Sequence, residues 1–153
     1  MGNMKFRPLK SKQVKELKEM MIWQWGAAIE GPYYFLKSEK DKIYLVDNSV
    51  GKINLDSLQV NSIGLYIAEV SNDEIRLSIE GSWLLGPAAT KNVVEISEKE
   101  AVFWLKGHDV EKIVDANGFV ILKHKNDFLG TGRATAKGIL NFVPKSRRLP
   151  EVA

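Results

Sequence analysis

Apolar residues at helical spacing open the chain. Val14, Leu17 and Met21 share one side of residues 11–25, with Met20 on the flank. Lys12, Lys15, Glu16, Lys18 and Glu19 fill the other side. The pattern predicts an amphipathic helix with Ser11 as its N-cap and Gly26 at its end. Gly31-Pro32 then marks a turn. Tyr34–Lys37 and Ile43–Val46 predict a hairpin across the polar stretch Ser38–Lys42. Another turn falls at Asp47-Asn48-Ser49 and Gly51, and Leu55 and Leu58 leave Asn54–Val60 ambiguous, with one short helical turn as an option. Strict alternation resumes at Ile63, Leu65 and Ile67. It returns after the turn Ser71-Asn72-Asp73 at Ile75, Leu77 and Ile79, predicting two strands. The first half therefore reads as α+β with a mainly antiparallel sheet.

The stretch GSWLLGPAATK, residues 81–91, breaks this pattern, because Gly86-Pro87 halts regular structure. It is too short and too apolar for a flexible tether, so two packed halves are expected. The boundary divides residues 1–86, an α+β domain of unassigned role, from residues 87–153. A short strand is expected at Asn92–Ile96, followed by a helix whose start carries the capping box Ser97-x-x-Glu100. Val102, Trp104 and Leu105 are its apolar positions, and Lys106-Gly107 closes it. Strands are then expected near Val110–Val114 and Phe119–Lys123, joined as a hairpin by Asn117-Gly118. Two more follow at Phe128–Ala134 and Ile139–Val143, with a turn at Gly138. One capped helix among five short strands has the layout of a small β-barrel with a helical plug.

Composition narrows the class. The 153 residues suffice for one ordinary domain or two small ones, and 44% hydrophobic with 27% charged residues is globular. No apolar run approaches the ~18 residues of a membrane helix. The basic N-terminus lacks the apolar region and cleavage site of a secretory signal, so a cytoplasmic protein with no membrane partner is expected. Without cysteine there is no disulfide or thiolate metal site, and two histidines make a poor metal set. No metal or cofactor is expected.

Net charge is only +3, but it is unevenly spread. Residues 1–82 hold 11 Lys+Arg against 11 Asp+Glu, whereas residues 118–153 hold 7 against 2. A neutral half joined to a basic segment suggests a scaffold with a polyanion-facing surface. That segment centres on FLGTGRATAKGILNFVPKSRRL, residues 128–149. It places Arg133, Lys137, Asn141, Lys145, Arg147 and Arg148 on glycine-punctuated strands and a proline-stiffened tail. Lysine and arginine neutralise phosphates, and arginine also grips one through two bonds. Lys123 and Lys125 are expected on one face of a strand, with His124 on the other. Gly130-Thr131-Gly132-Arg133 lacks the spacing of a nucleotide loop. The cluster of Trp23, Trp25, Tyr33, Tyr34 and Phe35 has two readings, a core and a platform for stacking bases, and the core reading is the stronger.

The strand at Asn92–Ile96, the capped helix ending Leu105-Lys106-Gly107, the strand Gly118-Phe119-Val120 and Gly130-x-Gly132-Arg133 together resemble a PUA-type domain. The closing Leu140–Arg148 segment is similar to the PUA-like C-terminal domain of Sun-family rRNA cytosine methyltransferases. The overall plan also resembles small ribosome-biogenesis proteins of archaea and eukaryotes. The resemblance covers roughly Pro87–Pro150. It implies a barrel that binds structured RNA in rRNA or tRNA processing, modification or ribosome assembly. By position it would place Lys106, Gly107 and His108 on the RNA face, with the last strand and basic tail. In the Sun family a methyltransferase domain with a catalytic cysteine precedes this module. This sequence has no cysteine and leaves no room for that domain, so no enzymatic activity is expected. The other reading is a protein-interaction adaptor that recruits an RNA-modifying enzyme or assembly protein, which an exposed Trp23 or Trp25 would favour.

Overall fold

The computed structural model describes residues 6–47 and 64–151. The expected turn after Asp47, the ambiguous segment 54–60 and the strand position at Ile63 lie wholly or partly outside them. The order is β1 (Phe6–Pro8), α1 (Ser11–Trp25), β2 (Tyr33–Ser38), β3 (Lys42–Asp47), β4 (Leu65–Ser71), β5 (Glu74–Leu77) and α2 (Ile79–Leu85). Then come β6 (Val93–Glu95), α3 (Glu98–Leu105), β7 (Gly118–His124), β8 (Asp127–Thr135) and β9 (Gly138–Leu140). The chain is α+β, and its strands form two sheets, β1-β2-β3-β4-β5 and β6-β7-β8-β9.

α1 has the expected span, but its N-cap is Lys10 and Ser11 is the first helical residue. The Gln13 carboxamide accepts the Lys10 N–H at 2.9 Å and caps the start from within. Gly26 ends the helix in the left-handed region. β1 is an edge strand that no alternation announced. It pairs Pro8 with Leu36, a place where a residue without an N–H is tolerated. The predicted strand through Ile79 stops at Leu77, because Ser78 turns and caps α2, accepting the Gly81 N–H at 3.0 Å. The SWLL of the expected break is therefore helical, and only Gly86–Ala88 departs into a 3-10 turn.

Leu17, Met21 and Trp25 from α1 pack with Phe35, Ile43, Leu45, Ile67 and Ile75 of the first sheet. Ile121 of β7 and Phe128 of β8 complete this core from the second half. The second core holds Trp104 with Val94, Ile96, Val120, Leu122, Ile139 and Val143. β7 thus serves both: Ile121 points one way, Val120 and Leu122 the other. A strand buried on two faces reads as an unbroken apolar run, which Phe119–Leu122 is.

β6, α3 and β7 form a parallel strand–helix–strand unit, with Val93 opposite Ile121. The expected hairpin between Val110–Val114 and Phe119–Lys123 does not form. Val110 makes a single bridge to Ile139, and Ile113 is 75% exposed. β6 occupies the edge of β7 that the hairpin partner would need.

On the outer side of the first sheet, Tyr44 packs with Leu36 and Val46. Burial raises its phenol above the ordinary value of 10.0. Tyr66 is raised as well, by burial first; Arg76 lowers it, and Glu69 and Tyr44 push it up. Folded values above the unfolded one give stability that is complete below about pH 10 and lost as pH rises through the folded values. Urea midpoints should therefore fall above about pH 10, and Tyr66→Phe should shrink that fall.

Candidate nucleic-acid interface

The end of α3 and the basic tail are joined by backbone. Leu149 N donates to Leu105 O at 2.8 Å, which lays residues 145–151 beside Lys106, Gly107 and His108. Gly107 has φ +99, and a Cβ there would lie 2.5 Å from Arg148 Nε, so only glycine admits the arginine. Arg148 Nε donates to Val143 O at 3.0 Å. His108 Nε2 lies 2.5 Å from Glu151 Oε1, and Lys106 Nζ donates to the Glu151 carbonyl at 3.4 Å. Arg147 Nη1 meets both oxygens of Glu80, at 2.9 and 2.8 Å. Lys145, exposed on a 3-10 turn, has no side-chain partner among the described residues.

Five of the eleven sequence-predicted positions, Lys106, His108, Lys145, Arg147 and Arg148, thus gather as cations or a potential cation around one chain crossing, over Gly107. Asn141 sits beside them in a different role. Its Nδ2 donates to Trp104 O and His108 O at 2.8 Å each, its Oδ1 accepts the Val143 N–H, and its own N–H goes to Asp109. It fastens the last strand to the helix end, and both its side-chain hydrogens are spent there.

The remaining positions lie on the β7–β8–β9 hairpins. β7 ends at His124, and Lys125 follows in a turn with φ +54, so the expected shared face of Lys123 and Lys125 is not formed. Lys125 N donates to Glu95 Oε1, and Lys123 Nζ lies 5.5 Å from the centre of the Phe128 ring. His124 Nδ1 is 2.9 Å from Ile96 O, a packing role. Lys137 is exposed in the β8–β9 turn. Arg133 pairs with Glu74 at 2.6 Å and lies 4.4 Å from the Phe119 ring centre.

Periodicity did not disclose the seam between the halves. Arg76, paired with Glu69, lies 5.1 Å from the Phe142 ring, which meets Phe119 edge-on at 5.5 Å. Arg76 of the first sheet thus meets a row of second-half side chains, Phe142, Phe119 and Arg133. Glu74 and Glu80 reach Arg133 and the tail from 59 and 67 residues away, distances that no local pattern reports. Among the described residues no three His, Asp or Glu side chains cluster as a metal set, and no helix is long and apolar enough to cross a membrane.

With its strand–helix–strand unit, glycine-bent β8 and tail folded onto the helix end, the second half resembles a PUA-type module. Residues 91–149 match the family model described as the methyltransferase RsmF PUA domain. Over 146 residues, 95% of this chain, it is 25% identical to ribosomal RNA small subunit methyltransferase F of Aeromonas salmonicida, strain A449. The same-named protein of Aeromonas hydrophila is 24% identical, and that of Vibrio cholerae 22%. The chain spans about 30% of the length of these relatives. The alignments take in the first half too, beyond the reach of the resemblance read from the sequence. These relatives are bacterial, whereas one part of that resemblance pointed to archaeal and eukaryotic proteins.

Proposed function

We propose that the chain is an RNA-binding protein of ribosomal RNA modification, holding structured RNA through its C-terminal half. The observation that carries this is the match of residues 91–149 to a PUA domain of an rRNA methyltransferase family, together with the basic residues gathered over Gly107. Lys145, Arg147, Arg148 and Lys106 supply phosphate contacts, with His108 beside them. Lys123, Lys125, Arg133 and Lys137 extend the cationic surface along the hairpins. Residues 1–86 and 87–153 act as one support, since they share a core. The chain works in the cytoplasm on rRNA, with tRNA as the comparison substrate, and leaves methyl transfer to a domain or partner outside it, because it has no cysteine.

The ion pairs around the tail do not oppose this reading. Arg147 keeps 43% and Glu80 18% of their side-chain surface exposed, and such pairs are worth about 0–1 kcal/mol. Phosphate can take the place of the carboxylate. Glu80→Gln should therefore cost under ~1 kcal/mol of stability and tighten binding to a small-subunit rRNA fragment by up to about fivefold. Unchanged or weaker binding would make Arg147 a strap for the tail and remove it from the interface.

The adaptor reading has one observation in its favour: Trp23 is 76% exposed, beside the exposed Ile22, although Trp25 is fully buried. Binding of RNA by the isolated chain, measured by fluorescence anisotropy, separates the two. The RNA-binding reading expects affinity that falls linearly with log salt, and the adaptor reading expects none.

A further inference from the structure

Trp23 is a large aromatic left in solvent on a helix whose neighbouring side chains are fixed. It borders a cavity of about 290 Å³ at the junction of the two halves, with Asp73, Glu74, Lys91, Asn117 and Phe119 among its walls. The frame of that cavity is tightly bonded. Gln24, buried, donates to Ile75 O at 3.1 Å and accepts the Ile75 N–H at 2.7 Å. Asn92 Nδ2 donates to Gln24 O at 2.6 Å, and Thr90 N donates to Trp25 O at 2.8 Å. These bonds hold the last turn of α1 against β5 and the entry to β6. The position of Trp23 is thus set by its neighbours, while 76% of it stays exposed, with Lys91 Nζ over the ring.

We propose that this cavity receives one unpaired nucleotide of the bound RNA, its base stacked on Trp23. This inference rests on the RNA-binding reading and adds a second contact to it, away from the tail. Exposed indole faces stack on any base, and single-stranded bases are taken this way by RNA-binding proteins. Lys91 Nζ stands 5.9 Å from the Trp23 ring centre and supplies the phosphate contact at the same edge. The walls of the cavity also carry acidic groups. Asp73 and Asn117 have no side-chain partner among the described residues, and Glu74 is already paired with Arg133. Carboxylates repel phosphate but accept N–H groups from a base edge, so charge divides the roles: the base edge goes to Asp73 and Asn117, the backbone to Lys91. Paired bases have no free Watson–Crick edge, and only the two terminal pairs have a free face, so a duplex gains little here.

The test uses the full chain and two RNAs, a hairpin with an unpaired loop and a blunt duplex of the same stem. Trp23→Ala should weaken hairpin binding by about 5- to 150-fold and leave duplex binding unchanged. Trp23→Phe should retain most of the affinity, and Lys91→Ala should weaken the hairpin alone. Because Trp23 is exposed, thermal unfolding of these variants should match the parent. If the parent binds the hairpin and Trp23→Ala binds it equally well, the nucleotide site is wrong and Trp23 belongs to a protein contact. Equal losses on both RNAs would likewise overturn stacking. If the parent binds neither RNA, the RNA-binding reading itself fails.

Discussion

Trp104→Ala should lower the free energy of unfolding by about 3–5 kcal/mol, the range for a large buried aromatic. For a chain of this size that moves the melting temperature down by roughly 6–20 °C. Trp104 is fully buried, its Nε1 donates to Leu129 O at 2.9 Å, and its far ring edge rests where a Cβ on Gly132 would lie 2.5 Å away. Truncation removes the apolar contact between α3 and the sheet and leaves a carbonyl without its donor. Val102→Ala, on the exposed side of the same helix, should change stability by less than about 0.5 kcal/mol. A Trp104→Ala melting curve close to the parent's would mean that α3 is not pinned to the sheet as described.

Replacing Lys145, Arg147 and Arg148 together by glutamate should have the largest effect on binding. Each phosphate contact contributes roughly 0.7–0.9 to the slope of log affinity against log salt. Loss of three removes about 2.1–2.7. Between about 50 and 200 mM salt, the parent should then lose roughly 20- to 40-fold more affinity than the variant. The variant should fold, because all three side chains are exposed; it gives up the Arg147–Glu80 pair and the Arg148 bond to Val143 O, together worth about 1–3 kcal/mol. The loss should be uniform across RNA sequences, since phosphate contacts carry no base information.

The sequence disclosed the elements whose signals are local. α1 ran from Ser11 to Trp25 because one apolar stripe and one terminal glycine define it. The capping box at Ser97 and Glu100 formed as spelled, with bonds of 2.9 and 3.1 Å. Pairing was harder. Asn117-Gly118 is a strong turn signal, yet the strand before it never formed, because β6 arrives by a helical crossover and takes the free edge of β7. A strand–helix–strand order already argued for that parallel pairing. Local pattern also missed α2, since a seven-residue helix that starts after Ser78 and contains Gly81 leaves too few positions to show a period.

The candidate site divides in the same way. The tail cations were legible as a run, and Gly107 as a helix end. That Asn141 is consumed by carbonyls, that Arg133 and Arg147 face Glu74 and Glu80, and that Lys125 leaves its strand all depend on contacts 30 to 67 residues apart or on one positive φ. The aromatic cluster separated in three dimensions, with Trp25 in the core and Trp23 in solvent.

The most direct measurement is the affinity of the parent chain for a structured fragment of small-subunit rRNA across a salt series, set beside the Lys145, Arg147 and Arg148 triple glutamate variant. A steep linear decline for the parent and a slope shallower by two or more for the variant is the predicted result. Coincident lines, or a parent that does not bind at the lowest salt, would contradict an RNA contact made through this tail.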